Sequence, residues 1–119
     1  KSGTIINVTS IAARQGSSAG GSVYAGAKGF VSSFTKTIAK ELVGHGIRVN
    51  AVSPGTIHTA FHTRFSNAEK LAATAKAIPM QRLGTADDCT GTFLYLASEK
   101  ASGYVTGQVI EVNGGQLMP

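Results

Sequence analysis

The chain is poor in cysteine and has no long apolar run. Cys89 is the single cysteine among 119 residues, which makes an intrachain disulfide impossible and gives no indication of a cysteine metal site. No apolar stretch reaches the roughly 18 residues that a membrane-spanning helix needs. The opening residues lead straight into a strand-like run, which is not typical of a signal peptide. We therefore expect a soluble, cytoplasmic protein with no metal ion and no membrane partner.

Acidic residues are also few, since 6 Asp and Glu stand against 11 Lys and Arg, for a formal net charge of +5. A basic protein binds nucleic acid through a patch of cations whose fields add. Here the basic residues are dispersed singly along the chain, and we expect no nucleic-acid partner. The hydrophobic content of 42% is enough for a packed core and predicts one globular unit.

Three short runs have the composition of buried strands. Residues 4–8 are rich in β-branched side chains and are bounded by Gly3, and residues 47–52 are followed by Pro54, which has no N–H for a ladder. Residues 108–112 form the third run, which an Asn-Gly-Gly sequence closes. Because a helical segment separates the first two runs, the pattern predicts a βαβ unit with parallel strands, and hence an α/β fold.

Helical periodicity is clearest in residues 23–42. Apolar residues recur there at spacings of three and four, which predicts one stripe: Phe30, Val31, Phe34, Ile38 and Leu42. Ser22 is the expected N-cap, and Gly44 or Gly46 is the expected end of this helix.

Shorter helices are predicted later in the chain. One covers residues 67–77 and is broken by Pro79, and a second runs from Thr85 to about residue 97. Asp87 and Asp88 lie in the first turn of the second helix, where the helix dipole favours negative charge. Residues 12–22 are rich in glycine and serine and predict a loop held by neighbours or by a ligand.

Residues with chemical potential follow the first two strands and begin the long helix. Tyr24 and Lys28 are four residues apart, so their side chains lie on one helix face. An ammonium beside a phenol favours the phenolate, which makes this tyrosine a candidate acid/base. Ser10 and Pro54-Gly55 follow strands, and ligands of open parallel sheets bind outside these carboxyl ends. Each feature alone also fits a solvated pair or an ordinary turn, but their joint order favours one shared crevice.

Four separated segments carry a resemblance to a known family. They are NVTS at residues 7–10, YAGAK at 24–28, RVNAVSPGTIHT at 48–59, and YVTGQ with VNGG at 104–108 and 112–115. Together they are similar to the C-terminal signatures of single-domain short-chain dehydrogenases/reductases, and the match covers nearly the whole chain. The resemblance implies a doubly wound parallel sheet of the Rossmann type. Residues 1–119 would be its C-terminal part, with about three strands and flanking helices.

The resemblance also implies an activity, the interconversion of a carbonyl and a secondary alcohol by hydride transfer with NAD or NADP. Ser10 would hydrogen-bond the substrate oxygen, and Tyr24 would be the acid/base. Lys28 would favour the phenolate of Tyr24 and hydrogen-bond the nicotinamide ribose. A further set would hold the nicotinamide carboxamide: Pro54, Gly55, the backbone of Ile57 and the hydroxyl of Thr59.

Some family features would lie outside this chain. The glycine-rich phosphate loop, the residue that selects NAD or NADP, and the asparagine of the catalytic tetrad would all precede Lys1. We therefore expect the N-terminal cofactor-binding half to be absent and the chain alone to be inactive. Ser10 and Tyr24 are 14 residues apart, one more than the commonest family spacing, and Thr9 is the alternative hydroxyl.

Residues 60–83 match the substrate lid of the family. The side chains around it that could recognise a carboxylate or a phosphate, or that could simply be solvated, are His58, His62, Arg64 and Arg82. The runs at 54–62 and 78–80 are similar to reductases of uronate-derived keto sugars. They also fit 3-oxoacyl-carrier-protein reductases and sugar dehydrogenases, so the substrate stays open among these classes.

Family members are mostly dimers or tetramers built through the long helix and the last strand, so the resemblance implies a homo-oligomer. Phe30, Phe34 and Thr37 are candidates for the exposed face of that helix. One alternative is the extended branch of the superfamily, the nucleotide-sugar epimerases and dehydratases. Those chains continue into a larger C-terminal domain, whereas this one ends four residues after Gly115.

A second alternative is a non-catalytic binding or oligomerisation module. Three strands alone would leave one sheet edge with unpaired backbone groups. We therefore expect the isolated chain to be unstable or to aggregate.

Overall fold

A computed structural model describes residues 2–60, 64 and 66–119 of the chain. The strands are β1 (Gly3–Val8), β2 (Ile47–Pro54) and β3 (Val109–Val112). The helices are α1 (Ala12–Gln15), α2 (Ser22–Leu42), α3 (Ala68–Ala77), α4 (Ala86–Ala97) and α5 (Glu99–Ser102). A single 3₁₀ turn, Val43–His45, connects α2 to β2. No helix in these described ranges is long and apolar enough to cross a membrane.

The three strands form one parallel sheet in the order β1-β2-β3, and the predicted parallel pairing of β1 with β2 is confirmed. The central strand β2 contributes Val49, Ala51 and Val52 to the core, each at 0% exposure. A strand that is buried on both faces is the expected result where helices cover a parallel sheet. The predicted α/β class with flanking helices is therefore confirmed.

Strand β2 is longer than predicted and includes Pro54. The missing N–H of Pro54 does not end the pairing, because its carbonyl still accepts a hydrogen bond from the Ile11 amide at 3.0 Å. The next residue, Gly55, donates its amide to the Val112 carbonyl at 2.9 Å. The prediction that β2 ends at residue 52 was therefore wrong by two residues.

Helix α2 begins with Ser22, but Ser22 is not its N-cap. Gly21 holds that position without a side-chain capping bond. The Gly21 carbonyl accepts from Ala25 at 3.0 Å, while its amide donates to Ser18 at 2.9 Å. A Cβ at Gly21 would collide with Ser17, so the tight approach of the loop selects glycine over a capping side chain. At the other end Gly46 adopts φ 71°, which confirms the predicted stop.

The residues of the predicted apolar stripe of α2 are buried to different degrees. Small residues, Thr35 and Ala39, are the fully buried ones and allow the helix to lie close to the sheet. Phe30 and Phe34 are 64% and 43% exposed and stack on each other with centroids 5.3 Å apart. Val31, Ile38 and Leu42 are half-buried, and the exposure of Phe30 and Phe34 agrees with their prediction as candidates for the exposed face of this helix.

The later helices begin as predicted. The Asn67 side chain caps α3 by accepting from the Lys70 amide at 2.8 Å. Thr85 and Asp88 form a reciprocal capping box at the start of α4. The predicted loop at residues 12–22 differs in one respect, because it opens with the one-turn helix α1. The Ser10 carbonyl nucleates that turn by accepting from the Ala13 amide at 2.9 Å.

A buried arginine joins β2 to the helices at the far end of the chain. Arg48 is 6% exposed, and its guanidinium donates to the Leu96 carbonyl at 3.0 Å and to the Ser102 hydroxyl at 3.1 Å. It also pairs with the exposed carboxylate of Glu99 at 2.9 Å. The end of α4 and the whole of α5 are therefore fixed on the sheet by one side chain.

Candidate active site

The segments that follow the three strands meet at one edge of the sheet. Thr9, just after β1, donates its amide to the Val52 carbonyl at 2.9 Å. Ile11 donates to Pro54 at 3.0 Å, and Gly55 donates to Val112 at 2.9 Å. These bonds tie the ends of β1, β2 and β3 together, where ligands of parallel sheets bind. The predicted convergence of Ser10 with Pro54-Gly55 therefore occurs.

Two adjacent hydroxyls follow β1, and they have different neighbours. Thr9 donates to the Lys28 carbonyl at 2.8 Å and lies 2.7 Å from the Ser32 hydroxyl, so it fastens α2 to the end of β1. Ser10 is 8% exposed, and its oxygen accepts only a local amide bond from Ala12 at 3.1 Å among the described contacts. Its O–H proton thus remains available to a substrate oxygen, which favours Ser10 over Thr9 as the contact residue.

Tyr24 and Lys28 lie on the first two turns of α2, beside the end of β1. The Lys28 ammonium nitrogen is 5.9 Å from the centroid of the Tyr24 ring. It donates to the carbonyl of Val8, the last residue of β1, at 3.1 Å. This bond fixes the cation next to the phenol at a distance where a cation and an aromatic ring attract. Tyr24 is 43% exposed, so a ligand can reach its side chain.

The backbone after β2 is held rigidly from two sides. A Cβ at Gly55 would lie 2.6 Å from the Cβ of Asn113, so only glycine permits this close approach. Gln116 makes two bonds with Thr56, accepting from its amide at 3.1 Å and donating to its hydroxyl at 3.1 Å. Ile57 forms an isolated parallel bridge with Gly84. Pro54 through Ile57 therefore present a fixed backbone.

Sequence reasoning missed the residues that hold this backbone. Asn113 and its following glycines were interpreted as the end of β3 and as part of a family motif, but not as a support, and Gln116 and Gly84 were given no role. The VNGG motif itself was the available signal, because its positive-φ glycines at 114 and 115 place the chain against residues 78–80 and let Gln116 reach Thr56. A cavity of about 390 Å³ opens beside this support, lined in part by Thr56, Ile57, Met80 and Asn113.

The predicted substrate-recognition residues have different surroundings. His58 is exposed directly after this backbone, and Arg64 and Thr59 are also exposed. His62 and the lid positions 61, 63 and 65 lie outside the described residues. The prediction for these positions stays a prediction.

Arg82 has a partner within the fold. Its guanidinium makes two bonds to the Asp88 carboxylate, at 2.7 and 3.0 Å. These bonds and those from Thr85 hold the pKa of Asp88 well below its usual range, and the same carboxylate raises the pKa of Arg82. Arg82 therefore stabilises the start of α4, which leaves it a weaker candidate for substrate recognition.

A metal site has no support in this part of the molecule. Within residues 2–60, 64 and 66–119, no group of three or more His, Cys, Asp or Glu side chains is placed to hold a metal ion. The chemistry available at the sheet edge is that of a phenol, an ammonium, a hydroxyl and a fixed backbone loop.

Comparisons with known proteins agree with this arrangement. A family model described as enoyl-(acyl carrier protein) reductase matches residues 1–116. A 3-oxoacyl-[acyl-carrier-protein] reductase from Synechocystis is 45% identical over 118 residues, which is 99% of this chain and 46% of that protein. The chain thus spans about half the length of the curated relatives it matches.

Solved structures give the same result in three dimensions. A 3-oxoacyl-[acyl-carrier protein] reductase from Brucella melitensis is 38% identical with a TM-score of 0.89, over 98% of this chain and 43% of that one. An NADH-dependent reductase responsible for alginate metabolism is 37% identical with a TM-score of 0.84, over 98% of this chain and 42% of that one. A structure described as an NAD(P) dependent gluconate 5-dehydrogenase from Beutenbergia cavernae, with NADP bound at low occupancy, is 36% identical. Its TM-score is 0.89, over 97% of this chain and 46% of that one. Sequence motifs, sheet topology and relatives agree, and the chain belongs to the short-chain dehydrogenase/reductase family.

Proposed function

We propose that this chain contributes the proton-transferring half of an NAD(P)-dependent oxidoreductase that interconverts a carbonyl and a secondary alcohol. The observation that carries the proposal is the placement of Lys28. Its ammonium is held by the Val8 carbonyl at 3.1 Å and lies 5.9 Å from the Tyr24 ring, at the sheet edge that also carries Ser10. A phenol, a fixed cation and a hydroxyl donor are the groups that proton transfer to a carbonyl oxygen needs.

Each residue then has a distinct task. Tyr24 gives its phenolic proton to the carbonyl oxygen during reduction and takes a proton from the alcohol during oxidation. Lys28 keeps its ammonium beside the Tyr24 ring through its bond to the Val8 carbonyl. Ser10 donates its O–H to the substrate oxygen and so orients that oxygen toward Tyr24. Preorganised donors of this kind stabilise the charge that develops on the oxygen.

The fixed backbone after β2 fits a nicotinamide amide group. Pro54, Gly55 and Ile57 would hold the carboxamide with Thr59, and Lys28 would reach the ribose hydroxyls. Only glycine fits at position 55 without a collision, because the chain packs tightly there. A tightly packed backbone is rigid, as a cradle for a planar ring requires. When bound, the nicotinamide would supply or accept the hydride. NADH dependence and bound NADP are features of two of the similar structures, which supports the cofactor class.

The substrate class and the assembly are part of the same proposal. The sequence runs at 54–62 and 78–80 suggest keto sugars and 3-oxoacyl thioesters, with His58, His62 and Arg64 as candidate contacts. A reductase responsible for alginate metabolism and a 3-oxoacyl-[acyl-carrier-protein] reductase are among the similar proteins. The stacked and exposed Phe30 and Phe34 support a homo-oligomer built through α2, a dimer or a tetramer. The single buried thiol of Cys89 fits a cytoplasmic setting.

The experiment is nicotinamide oxidation by the protein expressed over its full reading frame, with keto sugars and 3-oxoacyl thioesters and with NADH and NADPH. Wild type is compared with Tyr24→Phe, and Tyr104→Phe is the matched control because Tyr104 is fully exposed. We expect Tyr24→Phe to lower turnover by about 10²- to 10⁴-fold and Tyr104→Phe to leave it unchanged. Absence of turnover in wild type would support the non-catalytic module instead, and equal turnover in the two variants would contradict the acid/base role of Tyr24.

A further inference from the structure

The one-turn helix after Ser10 is tied to the last strand of the sheet. Arg14 of α1 donates from Nε to the Glu111 carboxylate of β3 at 2.8 Å. The side chain of Glu111 is 14% exposed and that of Arg14 is 41% exposed. This ion pair is therefore partly shielded from water, and it joins residues that are 97 positions apart in the chain.

Helix α1 depends on such outside contacts. It has only four residues, and an isolated helix of one turn does not persist in water. The chain after it is rich in glycine and serine, and Gly16 and Gly20 have φ of 80° and 90°. The ties on either side are the Ile11 amide bond to Pro54 and the Arg14 pair with Glu111. Because Ser10 nucleates α1, the position of α1 also sets the position of the Ser10 hydroxyl.

A third polar residue lies beside this pair. Ser53 of β2 is the registered partner of Glu111 in the parallel ladder, so both side chains lie on the same face of neighbouring strands. Within the described part of the chain, the hydroxyl of Ser53 and the second carboxylate oxygen of Glu111 are both buried without a hydrogen-bond partner. One group is a donor and the other an acceptor, and adjacent strands are about 4.8 Å apart.

We propose that Arg14, Glu111 and Ser53 form a positioning unit that fixes α1, and with it Ser10, over the carboxyl ends of β2 and β3. Arg14 holds one carboxylate oxygen of Glu111, and Ser53 is the registered neighbour of Glu111 on β2. The part of this proposal that concerns catalysis rests on the proposed function. In this proposal the three residues act through Ser10, whose carbonyl and hydroxyl both accept bonds from amides of α1.

The first test is amide hydrogen exchange in residues 11–16 of the protein expressed over its full reading frame. Arg14→Gln, Glu111→Gln and the double variant are compared with Lys36→Gln, which removes a positive charge from an exposed position of α2. Removing an ion pair of this exposure should change the equilibrium between closed and open α1 by about fivefold. We expect exchange in residues 11–16 to be about fivefold faster in either single variant, unchanged in Lys36→Gln, and no faster in the double variant than in the single ones.

Unchanged exchange in both single variants would overturn the proposal. Effects that multiply in the double variant would overturn it as well, because residues that act as one unit do not contribute independently. If Glu111→Gln does not fold, Arg14→Gln still tests the proposal. Arg14 is the more exposed partner of the pair, so its substitution leaves the buried side chain of Glu111 in place.

The second test is steady-state turnover of the same variants. We expect kcat to fall about fivefold in Arg14→Gln, with KM for the nicotinamide cofactor unchanged, and Arg14→Lys to recover part of the loss. Equal kcat in wild type and Arg14→Gln would overturn the positioning role. If wild type has no turnover, the proposed function is overturned, and the exchange measurement still decides whether the three residues hold α1.

Discussion

Replacing Arg48 by methionine should be among the most destabilising substitutions available in this chain. Methionine fills much of the space of the arginine stem but offers no donors to the groups that the guanidinium serves. Arg48 is 6% exposed and bonds the Leu96 carbonyl, the Ser102 hydroxyl, the Val105 carbonyl and the Glu99 carboxylate. The first three acceptors lie in the interior, whereas the Glu99 side chain is 73% exposed and water can replace its partner.

The loss of stability in Arg48→Met depends on which of these acceptors still receive a hydrogen bond from another donor. The Val105 carbonyl also receives a bond from Asn50 at 2.9 Å, and the Leu96 carbonyl keeps weaker contacts from Ser102 and Thr4 at 3.3 and 3.4 Å. Because these carbonyls keep a partner, the cost is smaller than for several buried carbonyls with none. We expect Arg48→Met to lower the free energy of unfolding by about 2–4 kcal/mol. Glu99→Ala should cost less than about 1 kcal/mol, because an exposed ion pair contributes little.

The assay is urea unfolding of both variants and of wild type, expressed over the full reading frame. The prediction is a large fall in the transition midpoint for Arg48→Met and a small one for Glu99→Ala, with equal denaturant slopes. Equal losses in the two variants would refute the reasoning, because they would mean that the exposed ion pair, rather than the buried bonds, provides the stability.

Three further predictions concern a titration, a glycine and a thiol. Arg82 keeps the pKa of Asp88 below its ordinary value, so the pair stabilises the fold above about pH 4, and this contribution is lost as the pH falls further. Asp88→Asn should therefore flatten the acid side of a plot of stability against pH. An unchanged plot would contradict the pairing. Gly55→Ala should destabilise the fold by about 1–3 kcal/mol, since the new Cβ would lie 2.6 Å from the Cβ of Asn113. Gly91→Ala has open space around the new Cβ and should not destabilise the fold. Thermal unfolding of the two variants tests this difference. Burial raises the pKa of the Cys89 thiol, so iodoacetamide at pH 8 should label it slowly in the folded protein and readily in urea, and rapid labelling of the folded state would show that the thiol is accessible.

Local sequence signals predicted the elements that local interactions determine. The starts of α3 near Asn67 and of α4 at Thr85 were predicted, because a helix cap and its amide partner are only three residues apart. The start of α2 was misassigned by one residue, because the choice of Gly21 depends on a collision with Ser17 in the preceding loop. Periodicity predicted the apolar stripe of α2 but not how deeply each of its residues is buried, and Phe30 is the most exposed of them.

The candidate site was predictable to the extent that its residues stand at the ends of elements. Ser10, Tyr24 and Lys28 satisfy that condition, and the structure brings Lys28 to the end of β1 by the bond to Val8. The supports were not predictable, because they join distant parts of the chain. Gln116 reaches Thr56 across 60 positions, and neither residue carries a pattern that indicates the other.

Arg82 shows a related limit. A cation near a lid is a reasonable candidate for binding an anionic substrate, and only the geometry reveals its two bonds to Asp88. The carboxylate of Asp88 was predicted as a helix-start residue, but its second partner could not be inferred from the helix pattern alone.

The central claim is that Tyr24 is the acid/base of a nicotinamide-dependent reaction, and one measurement tests it most directly. Turnover and cofactor affinity of Tyr24→Phe are determined in the same preparation, with the protein expressed over its full reading frame. The account predicts a loss of about two to four orders of magnitude in kcat, with the cofactor still bound and the fold unchanged. A Tyr24→Phe protein that binds cofactor and turns over as fast as wild type would contradict it.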